Sequence, residues 1–155
     1  MRMRCGGSVN YIENIFLELD FMNVKKAVIY IIKMLMGGGL YFLIELIYRG
    51  YSHWTMFILG GLCFIVCGIV NDISKGRLVI WQEMVWCMII ITLLEFAFGI
   101  VVNGVYGLHV WDYSRMPFQV LGQICVPFML LWYIISYPAI LLNEAFDNIA
   151  VRLYG

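Results

Sequence analysis

Charge is what this sequence has least of. Only 13% of its 155 residues are Asp, Glu, Lys or Arg, and ten basic side chains balance ten acidic ones. A chain without net charge has no electrostatic case for nucleic acid, so no nucleic-acid partner is expected. Histidine is scarce as well, with His53 and His109 the only two. The five cysteines (Cys5, Cys63, Cys67, Cys87 and Cys125) form neither a disulfide framework nor a zinc pattern. Four of them lie in apolar runs, where they read as small packing residues; Cys63 and Cys67, at i, i+4, lack the further ligands that a metal needs. No metal and no cofactor is therefore expected, and no nucleophile triad is discernible that would name a catalytic residue.

What the chain has in excess is apolar surface. With 63% hydrophobic residues and a mean hydropathy of +0.89, it falls outside the range of soluble domains. The pattern predicts an all-α polytopic membrane protein with four transmembrane helices, at about residues 27–48, 54–70, 80–102 and 120–142, since crossing a hydrocarbon core of roughly 30 Å takes about 20 apolar residues. Domain limits follow at 1–24 for an N-terminal amphipathic segment, 25–143 for the four-helix transmembrane domain and 144–155 for a cytoplasmic tail. Ile12, Ile15, Phe16, Leu19 and Met22 recur at helical spacing, predicting an amphipathic helix. Glu13, Glu18 and Asp20 interrupt any signal-peptide core. Gly37-Gly38-Gly39, Gly61 and Gly68 would break a soluble helix but in a membrane permit close helix approach. Pro127 and Pro138 are expected to kink the last span or thin its ends.

Orientation follows from the basic residues. Arg2, Arg4, Lys25, Lys26, Lys75, Arg77 and Arg152 flank one side, against Arg49 and Arg115 on the other. The asymmetry places the chain in the cell membrane with both termini cytoplasmic. Glu45, His53, Glu95, Asn103, His109, Asp112, Tyr113 and Arg115 then fall toward the outer half. Glu45 and Glu95 lie at membrane depth, where a carboxylate costs a few kcal/mol unless it finds a partner. Thr92, Glu95, Gly99 and Asn103 share a helical stripe, as do Gly38, Tyr41, Glu45 and Tyr48. The polar turn from Trp111 through Arg115 should fold back over the bundle, with Gln123 facing the same cavity. Candidate ligand-binding or pathway residues are thus Glu45, His53, Glu95, Asn103, Trp111, Asp112, Tyr113, Arg115 and Gln123. Each has a plainer reading: the carboxylates pair with Arg49, Arg115, His53 or a tyrosine, Trp111 and Tyr113 anchor at the interface, and Asp112 caps its turn.

An internal echo runs through the chain. Leu43-Ile44-Glu45-Leu46, His53-Trp54 and Gly60-Gly61-Leu62-Cys63 parallel Leu93-Leu94-Glu95-Phe96, Val110-Trp111 and Gly122-Gln123-Ile124-Cys125. It predicts two tandem helical hairpins related about the membrane normal.

The pattern Thr92-x-x-Glu95-Phe96-x-x-Gly99, then Trp111-Asp112-Tyr113-Ser114-x-x-Pro117, then Gly122-x-Ile124-Cys125 and Trp132 resembles the bacterial CmpB-like family labelled ABC-transporter type IV. The Trp-Asp-Tyr-Ser turn is similar to one in animal four-span membrane proteins. The resemblance covers the second half of the chain best, and Gln119 stands where the family pattern leads to an Asn. Its label implies transport. The chain has no Gly-x-x-x-x-Gly-Lys-Ser/Thr loop, so it is not itself the ATPase.

Three functions fit these residues. The first is a permease-like or solute-binding module with a polar outer-leaflet cavity for a small polar or cationic ligand. Four short spans make a small wall, so this version calls for a homo-oligomer or a partner membrane subunit, with membrane lipid around it. The second is a membrane-embedded enzyme acting on a lipid or isoprenoid, with Glu95 or Asp112 as acid or base. The third is an accessory or scaffold subunit whose carboxylates only hold it together.

Overall fold

The computed structural model of the chain describes the backbone of residues 7–154 and the side chains of residues 23–152. Four helices carry it: α1 (Gly7–Arg49), α2 (Trp54–Ser74), α3 (Ile80–Gly99) and α4 (Val126–Tyr154). Each contains or opens a segment long and apolar enough to cross a membrane, at Asn23–Arg49, Trp54–Ser74, Ile80–Val105 and Val126–Arg152. The chain is an all-α membrane protein with four such helices.

Contacts divide it into residues 1–32 and 33–155. The first unit is helical from Gly7, and Val24, Val28, Tyr30 and Ile31 are exposed on it. The amphipathic positions Ile12, Ile15, Phe16, Leu19 and Met22 lie outside the described side chains. The second unit holds everything that follows.

Glycine sets how closely α1 and α2 approach. A Cβ at Gly37 would run into Phe64, and one at Gly38 into the Phe57 carbonyl; on the facing helix, Gly60 abuts Tyr41 and Gly61 abuts Met34. Four small residues thus let two backbones meet with side chains seated in the gaps, the packing device that hydrocarbon favours because it offers no hydrophobic drive between helices. Gly39 has open space around it. Farther along α2, Gly68 lets Asn143 of α4 come in.

Two buried clusters stabilise the bundle. Cys67, Cys87, Ile91, Trp132 and Ile140 join α2, α3 and α4, so the thiols serve as packing residues. Met56, Leu59, Val102 and Trp111 form the other, and Trp111 belongs to the connection between α3 and α4.

That connection differs from the sequence expectation. The last span does not begin near residue 120. Gln119–Val120 and Ile124–Cys125 form two short strands, β1 and β2, paired antiparallel with Gln119 opposite Cys125 and Val120 opposite Ile124. Between them Leu121 and Gly122 have φ of 51° and 69°, a left-handed pair that ends any right-handed helix. α4 therefore starts at Val126 and runs on through the segment expected as a tail. Pro138 lies inside it, where the ring removes one backbone donor. α3 passes at Gly99 into a π-helical turn, Ile100–Val105, a widening that often accompanies functional sites.

Candidate functional site

The connection folds back as a plug, latched by Asn103 on the π-helical turn. The Asn103 Nδ2 group donates to the Trp111 carbonyl at 3.0 Å and to Gln123 Oε1 at 2.9 Å, while its Oδ1 accepts from the Val110 amide at 2.7 Å. The amide is 7% exposed and bonded through both of its ends, so it fixes three points of the plug at once. Trp111, 5% exposed, donates from Nε1 to the Gln123 carbonyl at 3.1 Å, and the Tyr113 amide donates to the Gly122 carbonyl at 2.8 Å. Gly99 is required beneath, because a Cβ there would strike Gln123 Oε1 and crowd Trp111.

Beyond the latch the plug is self-capping. Asp112 is exposed, and its Oδ1 accepts from the Ser114 amide at 2.8 Å and from the Ser114 hydroxyl at 2.5 Å, an Asx-type turn. These bonds hold the Asp112 carboxyl below the usual carboxylate range, with the charge of Arg115 a smaller contribution. The donors are thus Ser114's own backbone amide and hydroxyl, within the turn itself. Arg115 stands exposed past the turn. His53 caps α2: the Thr55 amide donates to its Nδ1 at 3.4 Å, with the Thr55 hydroxyl 2.8 Å from the same atom.

Glu95 lies deepest, 1% exposed on α3. Its Oε1 accepts from the Tyr113 hydroxyl at 2.9 Å and its Oε2 from Trp132 Nε1 at 2.8 Å. Burial, with the Glu95 carboxylate beside it, pushes the Tyr113 phenol well above its usual range, so it remains a donor. Glu45, 7% exposed, bonds to Arg49 one turn along α1 and accepts from the Ser52 hydroxyl at 2.6 Å. Arg49 also donates to the Val110 carbonyl at 3.3 Å, tying α1 to the plug. The two carboxylates of the sequence echo therefore sit in different settings: one faces a cation, the other two neutral donors.

Below the plug a cavity of about 240 Å³ opens between α1, α2 and α4, with Ile91 of α3 also in its wall. Tyr41, Cys63, Trp132 and Ser136 line it with the glycines Gly37 and Gly60, and Tyr41 stacks on Trp132 with ring centroids 5.8 Å apart. The cavity is apolar, unlike the polar chamber expected from the sequence. Of the groups assigned to that chamber, Asn103, Trp111 and Gln123 bond to one another or to the backbone and Tyr113 bonds to Glu95, while Arg115 is exposed. Trp132 is the link, since it forms cavity wall and also holds Glu95.

A family model described as Putative ABC-transporter type IV matches residues 29–152, which takes in most of the first apolar helix segment, the other three and the plug. The chain belongs to this family. No curated protein and no solved structure matches the chain.

For this family member the structure brings together Glu95, Tyr113, Asn103, Trp111 and Gln123, and Arg49 ties Glu45 to the plug. Trp132 and Tyr41 were absent from the candidate list. Trp132 stands in the motif that carries the family resemblance, but its distance along the chain from Glu95 gave no spacing that pairs them. Among the described residues no group of three or more His, Cys, Asp or Glu side chains is placed to hold a metal ion.

Proposed function

We propose that the chain is a permease-like or solute-binding membrane module whose ligand is a small cation with an apolar body, taken up where Glu95 meets the cavity wall at Trp132. One observation carries the reading. Glu83, buried near the start of α3, accepts from the Ser74 hydroxyl at its polar boundary, whereas Glu45 on α1 and Asp147 on α4 each face a cation, Arg49 and Lys33. Glu95 is more buried than either, yet its partners are the neutral donors Tyr113 and Trp132. A buried acid without a countercharge is costly in hydrocarbon and is a functional group by default. An aromatic-walled apolar cavity beside it suits a cation that carries its own hydrophobic surface.

In this reading the plug lies outside and both termini are cytoplasmic, supported by the Lys and Arg asymmetry. Four helices wall only part of a pathway. The module is therefore expected to act as a homo-oligomer or with a partner membrane subunit, and an ATPase, where one is used, must come from another chain.

Uptake of a lipophilic ammonium ion into sealed vesicles tests the assignment. Wild-type protein is expected to accumulate the ion, and Glu95→Gln to lose at least tenfold of that rate with normal insertion. Equal uptake by both would sink it. Conversion of a lipid or isoprenoid by the detergent-solubilised protein would favour a membrane-embedded enzyme instead.

A further inference from the structure

At the far end of the cavity from the plug, a second polar layer crosses the bundle. Lys33 of α1 is 4% exposed and Asn143 of α4 is fully buried. Lys33 Nζ lies 2.7 Å and 2.8 Å from the two carboxylate oxygens of Asp147, and 6.0 Å from the centre of the Phe146 ring. Asn143 and Asp147 are one turn apart on the same face of α4. The Asn143 Nδ2 group is fully used, donating to the Phe64 carbonyl at 2.9 Å and the Ala139 carbonyl at 3.0 Å. Its Oδ1 has no partner, alone among the buried side-chain polar atoms of the described residues. Flipping the amide would set that oxygen against two carbonyls, so its direction is fixed by the bonds on the other side.

The gap it faces is made by Gly68. A Cβ at that position would run into Asn143 Oδ1 and come to 3.4 Å from Lys33 Nζ. Both atoms therefore border one small space, yet they do not bond. The layer holds a carboxylate, a free amide oxygen and an aromatic ring, and Lys33 supplies the positive charge without satisfying all the acceptors. An orphaned buried acceptor is destabilising, and the fold retains it here. One turn above stand Gly37, Phe64 and Ala139, all lining the apolar cavity, so a molecule in the cavity lies directly over this layer.

We propose that Asp147 and Asn143 form a second cation station, for a primary ammonium group on an apolar tail, and that Lys33 is its tethered occupant. The chemical class of ligand rests on the reading of the chain as a cation-handling module. An incoming ammonium takes the Asp147 carboxylate from Lys33 and donates a second N–H to Asn143 Oδ1, with its tail in the cavity and its charge over Phe146. With Lys33 displaced, the polar atoms facing the incoming group are the Asp147 carboxylate and Asn143 Oδ1, both acceptors, so an anion is refused. A quaternary ammonium, having no N–H, forfeits the Asn143 contact.

Removing the occupant exposes the station. Purified Lys33→Ala is expected to melt below wild type and to recover on titration with butylammonium, saturably, by about 5 °C. Tetramethylammonium and butanol should give no comparable rise, and the Lys33→Ala/Asn143→Leu double variant should not respond. If Lys33→Ala is not recovered folded, Lys33→Met carries the same comparison. Failure of both to fold even with butylammonium present throughout purification overturns the proposal. So does an unsaturable response, or an equal one in the double variant or with butanol. The readout needs no transport and does not involve Glu95. Rescue should persist in a Glu95→Gln background, so the station and the Glu95 reading fail separately.

Discussion

Trp132 Nε1 donates to Glu95 Oε2 at 2.8 Å, and the same indole is part of the cavity wall. One side chain therefore separates a buried acid from the space that a ligand would enter. The plug supplies the other donor through Tyr113, so loop, helix and cavity converge on one carboxylate.

Trp132→Phe keeps an aromatic wall and removes the donor. It is expected to cost about 1–3 kcal/mol in the stability of the solubilised protein, because Glu95 is left with Tyr113 alone. Combined with Glu95→Gln in a double-mutant cycle, the pair should show coupling of about 1 kcal/mol. Additive effects would mean that the indole acts only by filling space.

The glycines divide into those that carry helix contact and those, Gly39 among them, that do not. Gly60→Ala places a methyl against Tyr41 with the Gly37 carbonyl 3.3 Å away, and backbone cannot retreat as a flexible side chain can. A loss of about 1–3 kcal/mol is expected. Gly39→Ala meets nothing within 4 Å and should change stability by no more than about 0.5 kcal/mol. Thermal unfolding in one detergent compares the two. Equal losses would contradict the interlocked contact between α1 and α2.

Asp112 gives the plug a pH dependence of definite sign. Its carboxyl is held below the usual range by Ser114, so the folded form binds this proton less readily than the unfolded chain. Any stability from its charge is present above the unfolded value of about 3.9 and is lost as pH falls through the lower, folded value. Asp112→Asn keeps both acceptor bonds without the charge. Melting profiles of the two proteins should run parallel near neutrality and converge in acid. A gap that widens below about pH 4 would contradict this assignment.

Much of this was legible in the sequence, for physical reasons. Apolar runs bounded by charge mark the spans because hydrocarbon excludes both charge and unpaired backbone. Thr92, Glu95 and Gly99 share a buried stripe because α-helical spacing is strict, and the apolar aromatics of the Trp111–Ser114 turn predict that it folds inward. The start of α4 was not legible: Val120, Leu121 and Ile124 look like helix interior by hydropathy, and the positive φ of Leu121 is imposed by the hairpin. Nor was the latch at Asn103. Asn103 meeting Trp111, Val110 and Gln123 at once depends on the chain doubling back, which no local period encodes. The orphaned oxygen of Asn143 is likewise a property of packing, visible only once Phe64 and Ala139 are seen to hold the amide's other end.

The central claim is that Glu95 holds the ligand's positive charge. Equilibrium binding of a lipophilic ammonium ion to the purified protein in detergent tests it most directly, with wild type and Glu95→Gln compared at matched thermal stability. The account predicts that Glu95→Gln weakens binding at least tenfold, about 1.4 kcal/mol, while a neutral ligand of the same shape binds both proteins equally. Undiminished binding of the ammonium by a folded Glu95→Gln protein would contradict it.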